Sequence, residues 1–237
     1  MAELRDVARA SRALWPRQFA RAIGRAPLLA DAEQRLAKLP RVELTELTGH
    51  LDPRISLARP KSRHAWSLGF AEQIAIQVLV STRGLCSAFE IGTFNGGTTR
   101  LLAEATPDNG RVVTIDLPPD AFDRTQAPDA FAGNDLGRDY TDSPAAYKVT
   151  QLFGDSLTFD PSPFTGQFDL VLVDGGHEFV HGVADSRTAL TLVAPGGLIV
   201  WDDFEPHWHG LVRGITEAMR GKPLCRLAGT SLGVFQA

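Results

Sequence analysis

Asp116, Asp155, Asp174 and the pair Asp202-Asp203 each follow a short apolar run, and Glu90 stands inside another, two residues before Gly92. A carboxylate at the end of a buried strand accepts hydrogen bonds from ligand hydroxyls. Asp116, twenty residues after Gly96, is placed to take both hydroxyls of a ribose. Gly154-Asp155-Ser156 is a short polar turn suited to an adenine edge. Gly92 and Gly96-Gly97 fall in a Gly-x-x-x-Gly-Gly loop, where missing Cβ atoms allow a tight turn and a close approach to a helix start. His177 follows Asp174-Gly175-Gly176, where a general base for a substrate hydroxyl would stand. The plainer role for His177 is a cap on the helix that begins near Glu178. One acidic strand end is commonly a helix cap or a solvated turn. Acidic or glycine-rich ends on five successive runs point to a shared ligand cleft.

Two other patterns compete for attention. His177-Glu178-Phe179-Val180-His181 matches the zinc-hydrolase spacing His-Glu-x-x-His, with Glu205 downstream as a third ligand. Its context argues otherwise: the first histidine falls at a helix start, right after a strand and two glycines, and Gly182 follows the second. His207-Trp208-His209 reads as pocket lining or surface loop rather than a metal pair.

These residues need elements to position them. Apolar runs at 85–91, 111–116, 148–153, 168–173 and 198–201 read as buried strands. They alternate with helices predicted over 98–105, 178–193 and 211–220, and a stronger helix over 62–80 precedes them. Residues 225–228 and 232–235 flank a Gly229-Thr230-Ser231 turn and read as a closing hairpin. Such alternation predicts an α/β fold: a Rossmann-like, doubly wound, mostly parallel seven-stranded sheet with a C-terminal antiparallel hairpin. Residues 1–61 read as a helical N-terminal extension, with helices over 2–14 and 27–39, serving as a cap or a dimer contact. Residues 62–237 form the ligand-binding domain. Residues 117–147 interrupt the rhythm with four prolines and read as a substrate-side insertion, with Arg124, Arg138 and Tyr140 as contacts.

The 237 residues carry a net charge of -4, so no basic footprint points to nucleic acid. Two cysteines, Cys86 and Cys225, make no disulfide scaffold and fit a reducing cytoplasm. No apolar run is long enough for a bilayer, and the first fourteen residues lack a signal-peptide core. A cytoplasmic protein with a small-molecule partner, no nucleic acid and no membrane is expected.

The residues from Glu90-Ile91-Gly92-Thr93-Phe94-Asn95-Gly96-Gly97-Thr98, through Asp116 and Gly154-Asp155-Ser156, to Asp174-Gly175-Gly176-His177 and Ala194-Pro195-Gly196-Gly197 with Asp202-Asp203 resemble one family. They are similar to class I S-adenosylmethionine-dependent methyltransferases of the small-molecule O-methyltransferase group. The resemblance extends over residues 62–237. It implies a cofactor site of Glu90, Gly92, Thr93, Phe94, Gly96, Thr98, Asp116, Asp155, Ser156 and Asp174. Asp116 would hold the ribose and Asp155 the adenine amino group. This cofactor has no pyrophosphate, which suits a Gly-x-x-x-Gly-Gly loop better than a dinucleotide does.

Strands ending at Asp174 and at Asp202-Asp203 should be neighbours, about 4.8 Å apart. Three carboxylates in one cleft repel unless protons or a cation neutralise them, and hard oxygen ligands suit Mg²⁺. Asp174, Asp202 and Asp203 are therefore the expected metal ligands, and His177, Asp174 and Asp203 the expected catalytic residues. The implied reaction is O-methylation of a small hydroxyl-bearing acceptor, with N-methylation open. The competing readings are an NAD(P)-dependent Rossmann oxidoreductase, a non-catalytic cofactor-binding or scaffold protein, and the zinc hydrolase.

Overall fold

The apolar runs pair into one sheet. A computed structural model describes residues 25–49, 52–53, 55, 68–121 and 136–237. Its strands are β1 (Arg41–Val42), β2 (Ser87–Ile91), β3 (Arg111–Asp116), β4 (Val149–Phe153), β5 (Phe168–Val173), β6 (Val193–Trp201), β7 (Cys225–Leu227) and β8 (Gly233–Gln236). Their order is β1-β7-β8-β6-β5-β2-β3-β4. All neighbouring pairs are parallel except β6·β8 and β7·β8. The seven expected strands and the antiparallel hairpin are present. The eighth strand comes from the N-terminal extension, through the pairing of β1 with β7.

Helices cover both faces: α1 (residues 25–37), α2 (Leu44–Leu47), α3 (Phe70–Thr82), α4 (Gly97–Ala105), α5 (Arg138–Thr141), α6 (Phe179–Leu192) and α7 (His209–Ala218). Side chains alternate across a strand, and the core divides accordingly. Phe89, Ile91, Val171, Val173, Ile199 and Trp201 share one cluster with Ala189 and Leu192 of α6, Val212 and Ile215 of α7, and Ala32 and Leu36 of α1. Ala88, Leu170, Leu172, Leu198 and Val200 share the other with Ile76 and Leu79 of α3 and Leu101 and Leu102 of α4. Burial on both faces explains why these strands read as continuous apolar runs.

Several boundaries differ from the sequence reading, three of them at the elements that lead into the site. β2 begins at Ser87, where the Asp169 carboxylate accepts the backbone N–H groups of Cys86 and Ser87. β6 runs back through Pro195-Gly196-Gly197 to Val193, and its register against β5 shifts between Phe168 and Leu170. The described part of the helix predicted over 62–80 is α3, which begins at Phe70. The helix predicted over 2–14, residues 62–67 of the helix predicted over 62–80, and Arg124 with its neighbours at 122–135 lie outside the described residues. No helix among the described residues is long and apolar enough to cross a membrane.

Strand order reverses at β2, whose neighbours are β3 on one side and β5 on the other. In an open α/β sheet the ligand crevice opens beyond the carboxyl ends at that point. Gly92 and Asp174, the residues just after β2 and β5, meet there.

Candidate active site

Gly92 has φ +99°, and a Cβ on it would lie 2.0 Å from the Asp174 carbonyl oxygen. Only glycine permits this contact between the two strand ends. The next turn is fixed by Asp116. Its Oδ2 accepts the backbone N–H groups of Thr93 (2.9 Å) and Phe94 (2.7 Å), and its Oδ1 accepts that of Leu117 (2.7 Å). Phe94 takes a left-handed φ of 48°. Gly96, φ +81°, precedes α4, and its close neighbours are Tyr140 and Gly137. The glycine at the helix start therefore admits the segment around α5, and Tyr140 packs on the loop from outside. Neither Arg138 nor Tyr140 lines the cavity described below.

Glu90 lies beneath this loop and is fully buried. Its Oε2 accepts the hydroxyls of Thr99 (2.5 Å) and Thr114 (2.6 Å), and Thr114 lies 2.7 Å from the Thr93 hydroxyl. Burial pushes its carboxyl up to about 8 from an ordinary 4.5, against the two threonine hydrogen bonds. A carboxyl raised in the folded state favours folding below its unfolded value and loses that contribution as pH rises through the folded one. Stability should therefore fall between about pH 4.5 and 8 by up to ~1.4 kcal/mol per pH unit from this group. Glu90→Gln should flatten that slope; urea midpoints at several pH values across this window check it.

A cavity of about 1370 Å³ opens along the carboxyl ends of the sheet. Gly92, Phe94 and Asp116 line it beside β2 and β3, and Asp155 and Ser156 beyond β4. Of the residues expected at the cofactor, Glu90, Thr93, Gly96 and Thr98 do not line it. Asp155 also accepts the Leu157 N–H at 2.9 Å. The cavity then runs past Asp174, His177, Asp202 and Asp203 toward β7 and β1.

His177 Nε2 lies 2.6 Å from Asp203 Oδ2. An ionised carboxylate can only accept, so Nε2 carries the proton and Nδ1 is the basic nitrogen. The Trp208 ring stacks on the imidazole with centroids 4.1 Å apart. Asp203 reaches the histidine from a left-handed backbone, φ 54°. Asp174 is raised well above the carboxylate range by burial and then by the charges of Asp202, Glu90 and Asp203. Asp202 is raised to about 6 by burial and then by Asp203; the Ser231 hydroxyl, 3.2 Å away, partly offsets this. Ser231 donates its N–H to Glu72, whose Oε1 lies 3.1 Å from the same hydroxyl and competes with Asp202 for its one proton.

The three aspartates thus share one field, but among the described residues no three acidic, histidine or cysteine side chains are arranged to hold a metal ion. Asp203 is turned to His177 and Asp202 to Ser231. The donor types suit a hard cation; their present arrangement does not form its coordination set. The zinc-hydrolase pattern is likewise not assembled. Glu178 is the residue before α6, so His177 is outside the helix, and His181 packs its ring against Gly176. Of His207-Trp208-His209, the first two line the cavity.

Two contributors escaped the sequence reading. Glu72 reaches the site from α3, remote in sequence. Asp185 is 1% exposed, one turn after His181 on α6, with an oxygen 3.2 Å from a Cβ placed on Gly175. Burial raises it to about 6, opposed by Ser156 and His181. The four-residue spacing from His181 was its one available signal.

The strand order, the glycine turn after the first central strand and the polar strand ends define the class I methyltransferase fold. Residues 89–204 match the family model of a methyltransferase domain. The structure resembles the O-methyltransferase TomG of Streptomyces achromogenes, solved with S-adenosylmethionine: 22% identity over 73% of this chain and 82% of that one, TM-score 0.51. It also resembles the methyltransferase PaMTH1 of Podospora anserina, solved with S-adenosylhomocysteine: 18% identity over 72% and 79%, TM-score 0.53. At these identities the likenesses speak to the fold. No protein of curated function matches the sequence.

Proposed function

We propose that the chain transfers the sulfonium methyl of S-adenosylmethionine to a hydroxyl oxygen of a small-molecule acceptor. The observation that carries this is the His177–Asp203 pair, set in a cavity that also reaches the glycine loop. Pockets for a single drug-sized ligand measure about 300–1,000 Å³, so this cavity has room for cofactor and acceptor together.

On this reading Gly92, Phe94 and Asp116 hold the methionine and ribose parts, and Asp155 and Ser156 the adenine. The acceptor hydroxyl gives its proton to His177 Nδ1 as its oxygen attacks the methyl carbon. The carbon–sulfur bond breaks and its electron pair returns to sulfur, leaving neutral S-adenosylhomocysteine. Asp203 accepts from Nε2–H throughout and stabilises the imidazolium. In-line positioning supplies most of the acceleration. Two features support this over a dinucleotide oxidoreductase: the loop lacks the pyrophosphate spacing, and the matched domain is a methyltransferase domain.

TomG, which has this fold, is an O-methyltransferase, and that favours oxygen as the acceptor atom. The test is transfer of labelled methyl from S-adenosylmethionine to a panel of hydroxyl acceptors, with and without chelator. Methylated hydroxyls in excess chelator are expected if the histidine removes the proton. Loss in chelator with recovery in Mg²⁺ would instead assign that role to a cation that draws Asp203 off His177.

A further inference from the structure

Beyond the reaction centre the cavity continues to the far edge of the sheet, where Arg41 of β1 and Arg226 of β7 line it. β1 and β7 are parallel, and Arg41 is directly opposite Arg226. Paired positions on adjacent strands project to the same face, about 4.8 Å apart. The two side chains therefore leave the sheet on the same face, and both reach the cavity. Partial burial, then the charge of Arg41, lowers Arg226 from its ordinary range. Among the described residues neither guanidinium has a salt bridge or a side-chain hydrogen bond.

Elsewhere the described part of the wall is acidic, through Glu72, Asp116, Asp155, Asp202 and Asp203. Among the described lining residues Arg41 and Arg226 are the two permanent cations, and both are at the end away from the glycine loop. Like charges held this close favour an oxyanion bridging them, and guanidinium geometry suits oxyanions through forked hydrogen bonds.

We propose that Arg41 and Arg226 bind an oxyanion on the acceptor, so that the enzyme acts on anionic hydroxyl compounds. This rests on the methyl-transfer reading above. The acids around His177 repel the oxyanion and the arginines attract it, so the charge distribution orients the acceptor with its hydroxyl at the reaction centre. β8 lies between β6, which leads into Asp202, and β7, which holds Arg226. The arginines and the reaction centre are thus on different strands, so the acceptor carries its oxyanion at the end away from its hydroxyl.

The test uses the full chain saturated with S-adenosylhomocysteine and titrated with inorganic phosphate, sulfate or benzoate at constant ionic strength. Saturable binding of at least one is expected, weakened tenfold or more in Arg226→Gln and in Arg41→Gln; whichever anion binds best identifies the oxyanion class. S-adenosylhomocysteine affinity should be unchanged in both variants, which also shows that they are folded. If the variants bind the anions as the wild type does, or the wild type binds none while still binding S-adenosylhomocysteine, the arginine site is overturned. If S-adenosylhomocysteine itself does not bind, it is the methyl-transfer reading that has failed.

Discussion

Turnover of a His177→Ala variant should fall roughly 10²–10⁴-fold, the range for loss of a positioned general base, with S-adenosylmethionine affinity unchanged. Two contacts over-determine this imidazole: Asp203 Oδ2 at 2.6 Å and the stacked Trp208 ring at 4.1 Å. A histidine held only as a helix cap would need neither. The companion variant is Asp203→Asn. Asparagine tolerates the left-handed φ of 54° found at this position, so the backbone survives while the carboxylate is lost. Its expected signature is a lower kcat with unaltered cofactor affinity. Asp203→Ala adds backbone strain and should also lower stability. Single-turnover kinetics with saturating S-adenosylmethionine separate these effects. Wild-type turnover in His177→Ala would remove the histidine from the chemistry.

Gly92→Ala should abolish cofactor binding and destabilise the fold. The new Cβ would lie 2.0 Å from the Asp174 carbonyl oxygen and 2.7 Å from its carbon, both backbone atoms. No rotamer change relieves that contact; β2 and β5 would have to part at the point where the crevice opens. The φ of +99° adds strain of about 1–3 kcal/mol. Gly221→Ala is the control, because φ is +80° there and nothing lies within 4 Å of the added Cβ. It should show the backbone cost alone, with cofactor affinity intact. Thermal unfolding and S-adenosylhomocysteine titration of both variants check the difference.

These predictions mark where sequence reasoning reached and where it stopped. The strands were legible because burial on both faces leaves continuous apolar runs, as in Phe168–Val173. β1 was not legible: two residues, Arg41 and Val42, carry no period, and only the edge offered by β7 makes them a strand. The glycine loop was legible in kind, but the division of labour within it was not. Asp116 and Glu90 are both acids at strand ends. Which one ties the loop backbone depends on which faces the Thr93 and Phe94 N–H groups, and that is Asp116. Glu90 instead serves Thr99 and Thr114 from a fully buried position. The convergence of Asp174, Asp202 and Asp203 followed from strand adjacency. The turn of Asp203 toward His177 did not, since it depends on a left-handed backbone at a residue other than glycine. The Arg41–Arg226 pair was invisible for the same reason as β1: it exists only through pairing of residues 185 positions apart.

The measurement that bears most directly on the central claim is calorimetric titration of the purified chain with S-adenosylmethionine, S-adenosylhomocysteine and, separately, NAD(P). The account predicts saturable one-to-one binding of the first two, its loss in Gly92→Ala and its retention in His177→Ala, with no binding of NAD(P). Binding of NAD(P) with none of S-adenosylmethionine would contradict it and return the cavity to a dinucleotide oxidoreductase.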